Sequence, residues 1–230
     1  DFCLSRGLGD VYKRQKYSLA FAAGVMFSVS MLDLIPEASK LLTYSLPKLK
    51  AFNYMLVFMI GGFLISTLID IFIPENSEVG NKKLYKLGIF SMIAIIIHNI
   101  PEGIATFLSS STDISLGISL TIAIALHNIP EGISISVPVY SATGSRRKAL
   151  KLTMISALAE PLGAFIAFLF LKPIMTDIIM GCTLAMVAGI MSHISLIQLL
   201  PASLKYQEKA KTIIAFILGI IFMLVSIYIM

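Results

Sequence analysis

Tryptophan is absent, cysteine occurs twice, and only 13% of the 230 residues are charged. Each shortage excludes something. Soluble domains carry about 25% charged residues, and a chain with about half that share and 57% hydrophobic residues has little to offer water. The two cysteines, Cys3 near the start and Cys182 in an apolar run, exclude a disulfide framework and a thiolate metal site. The net charge of +5 does not point to nucleic acid, because lysine and arginine in such a chain mostly set membrane topology. What remains is an all-α polytopic membrane protein.

Apolar runs long enough to span a bilayer, about 20 residues each, lie at 17–36, 52–73, 84–108, 114–139, 152–171, 174–200 and 212–230. Polar or turn-forming stretches separate these seven: SLPKLK, PENSEVGNKK, SSSTD, ATGSRRKALK, LKPIMTD and KYQEKAK. Alternate loops differ in charge. One set holds ten basic residues (Lys82, Lys83, Lys86, Arg146, Arg147, Lys148, Lys151, Lys205, Lys209 and Lys211), the other four (Lys40, Lys48, Lys50 and Lys172). The richer set belongs on the cytoplasmic side, which leaves the C-terminus outside.

The opening DFCLSRGLGDVYKRQ is too short and too charged for a span and lacks the apolar core of a signal peptide. Composition switches abruptly at Lys16–Tyr17, like a splice. Residues 1–16 are therefore set apart as a non-native leader and 17–230 as a single transmembrane domain, with a further helix expected ahead of residue 17.

Two repeats run through the chain. FSMIAIIIHNIPEGIA (90–105) aligns without gaps on SLTIAIALHNIPEGIS (119–134), and GVMFSVSMLDLIPEASK (24–40) aligns on GIMSHISLIQLLPASLK (189–205) at a constant offset of 165. In both pairs the partner spans cross the membrane in opposite directions. Inverted repeats are the architecture of many secondary transporters, with substrate held near the midplane where the repeats meet.

The polar residues concentrate there. His98, His127 and His193 all fall inside expected spans, as do Glu102, Glu131 and Glu160. A carboxylate at the bilayer centre costs roughly 2.5–3.5 kcal/mol on insertion scales, and a bound cation is the economical compensation. On a helix, His98 and Glu102 (i, i+4) share a face, and Asn99 and Glu102 (i, i+3) the adjoining one. Glu102 thus lies between an imidazole and an amide and can bridge two cations. His127, Asn128 and Glu131 repeat the pattern. Imidazole plus carboxylate suits Zn²⁺, Fe²⁺, Mn²⁺ or Co²⁺ better than Cu(I), Ca²⁺ or Mg²⁺.

Pro101 and Pro130 each free a carbonyl one turn back, leaving polar backbone that only a protein- or water-lined site tolerates. Gly103 and Gly132 permit close helix approach. His193 is a candidate for either a pathway or packing, Asp33 and Gln198, at matching positions of the distant repeat, either line a vestibule or snorkel near a helix end, and Met26 and Met191 are more readily core. The Gly181/Ala185/Gly189 spacing reads as a helix-contact face, with dimerisation as one option.

Two rivals to a carrier stand beside it. Di-iron carboxylate bundles use Glu-x-x-His on two helices, whereas the order here is His-x-x-x-Glu, and no nucleophile set or cofactor motif accompanies it. A purely structural metal protein fits poorly with prolines at the site.

HNIPEGIATF, HNIPEGISISVP and SALAEPLGA resemble the fourth, fifth and sixth membrane helices of the ZIP metal transporters, in particular the bacterial ZupT-type members. The resemblance covers residues 17–230. It implies a 3+2+3 inverted-repeat bundle of eight helices, of which this chain has the last seven. It further implies uptake of zinc or another divalent transition metal as substrate, with no prosthetic group, by a multi-pass protein of the cell's inner (plasma) membrane. Both termini would lie outside, often in a homodimer. Carried over by position, one metal site maps to His98, Glu102, His127 and Glu131 with Met26 as helper. A second maps to Asn99, Glu102, Asn128, Glu131 and Glu160. Gln198 stands where relatives often carry an acid.

Overall fold

The computed structural model describes residues 2–72, 82–112, 114–171, 176–205 and 208–229, with side chains for most of them. All regular structure among these residues is helical. The chain runs through α1 (Phe2–Val29), α2 (Ile35–Ser45), α3 (Lys48–Phe72), α4 (Lys82–Thr112), α5 (Ile114–Thr143), α6 (Arg146–Ala157), α7 (Ala159–Ile166), α8 (Asp177–His193), α9 (Leu200–Leu204) and α10 (Lys209–Ile229). Six stretches among the described residues are long and apolar enough to cross a membrane. The 30-residue α5 covers the remaining expected span. The expected breaks over 74–81 and 172–175, and residue 113, lie outside the described residues.

Local chemistry explains the ends. Leu46, extended before Pro47, stops α2. Gly144 adopts φ 67° after α5, a conformation glycine enters freely. Ser145 then caps α6 by accepting from the Lys148 amide, as Thr176 caps α8 by accepting from Ile179.

The first span does not stop at Pro36, as composition suggested. It winds through a π-helical turn at Ser30–Leu34 and continues as α2 to Ser45. Pro36 offers no N–H to the turn before it, and the looser winding accommodates that loss. Pro201 is handled alike: a π segment at Ile194–Leu199 leads into α9. The offset of 165 carries 30–34 onto 195–199, so both members of the distant repeat bear the same distortion ahead of the same proline.

Packing sorts the spans into two groups that meet where α1 lies on α5 and α4 on α8. In the first, α1 lies on α10, while α3 and α2 lie on α8. In the second, α4 packs on α5 and α7, and α5 on α6. The first group is built on two glycine crossings. A Cβ added to Gly24 would overlap the Phe216 carbonyl, and one at Gly219 the Phe21 carbonyl. A Cβ at Gly189 would overlap the Met59 carbonyl, and one at Gly62 the Met186 carbonyl. The repeat offset carries Gly24 onto Gly189 and Phe21 onto Met186, so one crossing is made twice, once in each inverted half. Gly181 packs on Leu42 and the Ala38 carbonyl, and Ala185 is fully buried. The Gly181/Ala185/Gly189 face is therefore a seam within the chain, which corrects the dimerisation option.

Lys16 and Tyr17, at the start of the first span, bind Glu208 ahead of the last. At the opposite end Ser45 donates to Asp177 at 3.4 Å. Between these ends, large apolar side chains such as Val57, Leu64, Leu162, Phe165, Leu218 and Val225 face outward, as expected of a lipid-facing surface.

Candidate metal centre

Both HNIPEG segments sit in mid-helix, and α4 and α5 run through Pro101 and Pro130 without interruption. Because the two helices pack on each other, the like motifs face. The His98 Nε2 lies 3.1 Å from the Glu131 Oε1 and 3.6 Å from the Glu102 Oε2. One ligand atom from each of His98, Glu102 and Glu131 falls within 4.8 Å of the others, and all three residues are buried. The 3.1 Å approach is not a hydrogen bond in geometry, and both Glu131 oxygens are buried without a hydrogen-bond partner among the described residues. Buried polar atoms left so are rare. Two carboxylates and an imidazole aimed at one point are a donor set for a divalent cation of the zinc type.

A second group adjoins it from the fifth expected span. Asn128 Nδ2 donates to the Glu160 Oε2 at 2.8 Å, and Asn99 Nδ2 donates to the Ser156 carbonyl at 3.3 Å. Each asparagine keeps its Oδ1 buried and without a hydrogen-bond partner among the described residues. What brings α7 this close is the absence of side chains. A Cβ at Gly103 would overlap the Glu160 carbonyl, and one at Gly163 the Ile100 carbonyl. A Cβ at Gly132 would meet only the Thr153 methyl, at 3.3 Å.

His98, Asn99, Glu102, Asn128, Glu131 and Glu160 are thus gathered about the α4–α5–α7 contact. His127 lies on α5 one turn before Glu131, but its side chain is outside the described residues. Met26 is buried in the main apolar cluster with Met191, Phe90 and Ala94, and Ile97, the neighbour of His98, packs against that cluster.

His193 is a packing histidine. Its Nδ1 lies 3.0 Å from the Ser66 hydroxyl, and its ring stands edge-on to Phe63 and Phe90. Gln198 donates to the Asp70 Oδ2 at 2.7 Å, with the Lys86 Nζ 3.9 Å from the other oxygen. Sequence reasoning missed Asp70, Ser66 and the Ser156 carbonyl. The first was visible as an acid at the end of an apolar run; the other two carry no local signal.

A multi-pass helical bundle built from inverted repeats, with a buried imidazole–carboxylate cluster where like helices meet, has the architecture of many membrane carriers. Comparison narrows the class. Residues 74–227 match the family described as ZIP Zinc transporter. Zinc transporter ZupT of Lysinibacillus sphaericus (strain C3-41) is 46% identical over 226 residues, covering 91% of this chain and 84% of that protein. Zinc transporter ZupT of Oceanobacillus iheyensis is 47% identical over 227 residues, covering 92% and 85%. The ZupT of Streptococcus mutans serotype c is 44% identical over 221 residues, covering 91% and 84%. The chain belongs to the ZIP family of zinc transporters, on its bacterial ZupT-type side.

Proposed function

We propose that this chain carries zinc, or a related divalent metal such as iron(II), manganese or cobalt, into the cytoplasm across the cell's inner membrane. The observation that supports this is the convergence of His98, Glu102 and Glu131 in a buried position. Carboxylates so placed are costly in a bilayer, and a divalent cation offsets their charge while the imidazole adds a nitrogen ligand.

In this reading the cargo occupies a binuclear site. His98, Glu102, His127 and Glu131, with Met26 beside them, hold one ion. Asn99, Glu102, Asn128, Glu131 and Glu160 hold the other, the two glutamates bridging. Residues 17–230 act as one transport domain, in a homodimer surrounded by lipid, with the C-terminus outside. Metal sheds water onto the cluster from outside, and movement of the α4–α7 group against the α1–α3 and α8–α10 group then opens the cytoplasmic side. Affinity must stay moderate, since a closed four-ligand site would retain its ion.

The test is zinc and iron(II) uptake into proteoliposomes by the chain and by its Glu102→Ala/Glu131→Ala variant. Uptake lost in the double variant supports the carrier and its site. Equal flux in both would sink the site, and stoichiometric binding without flux would sink the transport reading.

A further inference from the structure

An asparagine side chain has two ends of nearly equal size, and only the oxygen end binds a cation. Asn99 and Asn128 therefore need something to turn them. Both commit their Nδ2 groups to the same span: Asn99 to the Ser156 carbonyl at 3.3 Å, and Asn128 to the Glu160 carboxylate at 2.8 Å. Both Oδ1 atoms are left buried and without a hydrogen-bond partner among the described residues.

Asn128 is turned by a charged group, but Asn99 is turned by a backbone carbonyl. In an unbroken helix that carbonyl would be directed along the axis at the amide four residues on. Here the span is interrupted at a single residue, while the Leu158 amide still donates to the Met154 carbonyl and the Leu162 amide to the Leu158 carbonyl. α6 ends at Ala157, Leu158 adopts φ −67°, ψ −13°, and α7 begins at Ala159. Pro161 accounts for the break, because it has no N–H for the carbonyl of residue 157 and its ring crowds the turn before it. Glycine contacts at Gly103 and Gly163 then press α7 onto the turn of α4 that carries Asn99 and Glu102.

We infer that Pro161 is a positioning residue for the metal site: the helix break it imposes turns the Ser156 carbonyl toward Asn99, which selects the oxygen end of that amide for the cation. The inference rests on the binuclear reading above and identifies what builds the second, oxygen-rich half. Pro161 touches no metal, and its effect passes through Ser156 and Asn99.

An aspartate at position 99 separates this role from a merely structural one. It has oxygen at both ends, so it needs no orienting acceptor. Zinc stoichiometry and affinity would be measured on the purified full chain, on Pro161→Ala, on Asn99→Asp and on Asn99→Asp/Pro161→Ala. The wild type binds two zinc ions, Pro161→Ala binds one, and the double variant binds two again. Two ions in Pro161→Ala would overturn the inference while leaving the binuclear site intact. One ion in both proline variants would overturn it in favour of a structural proline. A single ion in the wild type would remove the second site and the inference together. If Pro161→Ala does not accumulate folded, Pro161→Gly restores the N–H in its place and is read the same way.

Discussion

At the scale of single residues, the proposed metal centre opposes function to stability. Glu102 and Glu131 are buried beside one imidazole, and without cargo their charges are held apart from water at a cost. Glu131→Gln should therefore raise the melting temperature of the metal-free protein and shrink the further rise that zinc produces. Partners that merely support a ligand typically cost about 10–100-fold in metal affinity, so loss of Glu131, which the proposed function makes a ligand, should cost no less. Thermal melts in detergent with and without zinc check both halves. A fall in metal-free stability would show that Glu131 serves packing instead. The opposite expectation holds for His193, wedged between Phe63 and Phe90 with Ser66 at its Nδ1. His193→Phe should keep zinc uptake within about twofold, since volume-conserving core changes are tolerated best, whereas His98→Phe should abolish it. The three histidines look alike in the sequence. His98 was legible because HNIPEG repeats and fixes its spacing to Glu102, but the partner that makes His193 structural, Ser66, lies 127 residues away.

At the scale of elements, helix existence was legible and helix crossing was not. Hydropathy located every span, because a bilayer demands about 20 apolar residues from each. It misplaced the end of the first by treating Pro36 as a stop, where a π turn lets the helix continue to Ser45. The distant repeat was legible as aligned small residues. Their meaning, two reciprocal glycine crossings, needed the tertiary pairing of α1 with α10 and α3 with α8. Adjacent glycines on α3 test this directly. A Cβ on Gly61 meets nothing within 4 Å, while one on Gly62 strikes the Met186 carbonyl. Gly61→Ala should be neutral or stabilising by up to about 1 kcal/mol, the helix-propensity difference. Gly62→Ala should destabilise by about 1–3 kcal/mol, as overpacking does when backbone must move. Unfolding of the two variants in mixed micelles decides it. Equal behaviour would mean that the α3–α8 crossing is not as close as described.

At the scale of the whole molecule, the bundle is closed at its basic end by one acid. Glu208, at φ 68° just ahead of α10, accepts from Lys16 at 2.7 Å, Lys211 at 2.6 Å and Tyr17 at 2.8 Å. The hydrogen bonds from these donors, Lys16 foremost, hold its carboxyl down to about 2 from an ordinary 4.5. This tie joins the start of the first described span to the start of the last. No sequence rule could have shown it, since it links residues 192 apart. A carboxylate whose acidity is strengthened by folding contributes stability in full above its unfolded pKa, and loses it as pH falls toward the folded one. The contribution of Glu208 should thus be constant from neutral pH to about 5 and disappear between 4.5 and about 2. Glu208→Gln should melt below the wild type at pH 7, with the gap closing as the pH is lowered through that window. Salt should narrow the gap as well, because the cluster is exposed and screened. A gap that stayed constant down to pH 2 would place the effect in packing or in hydrogen bonds that survive protonation, and not in the charge that ties α1 to α10.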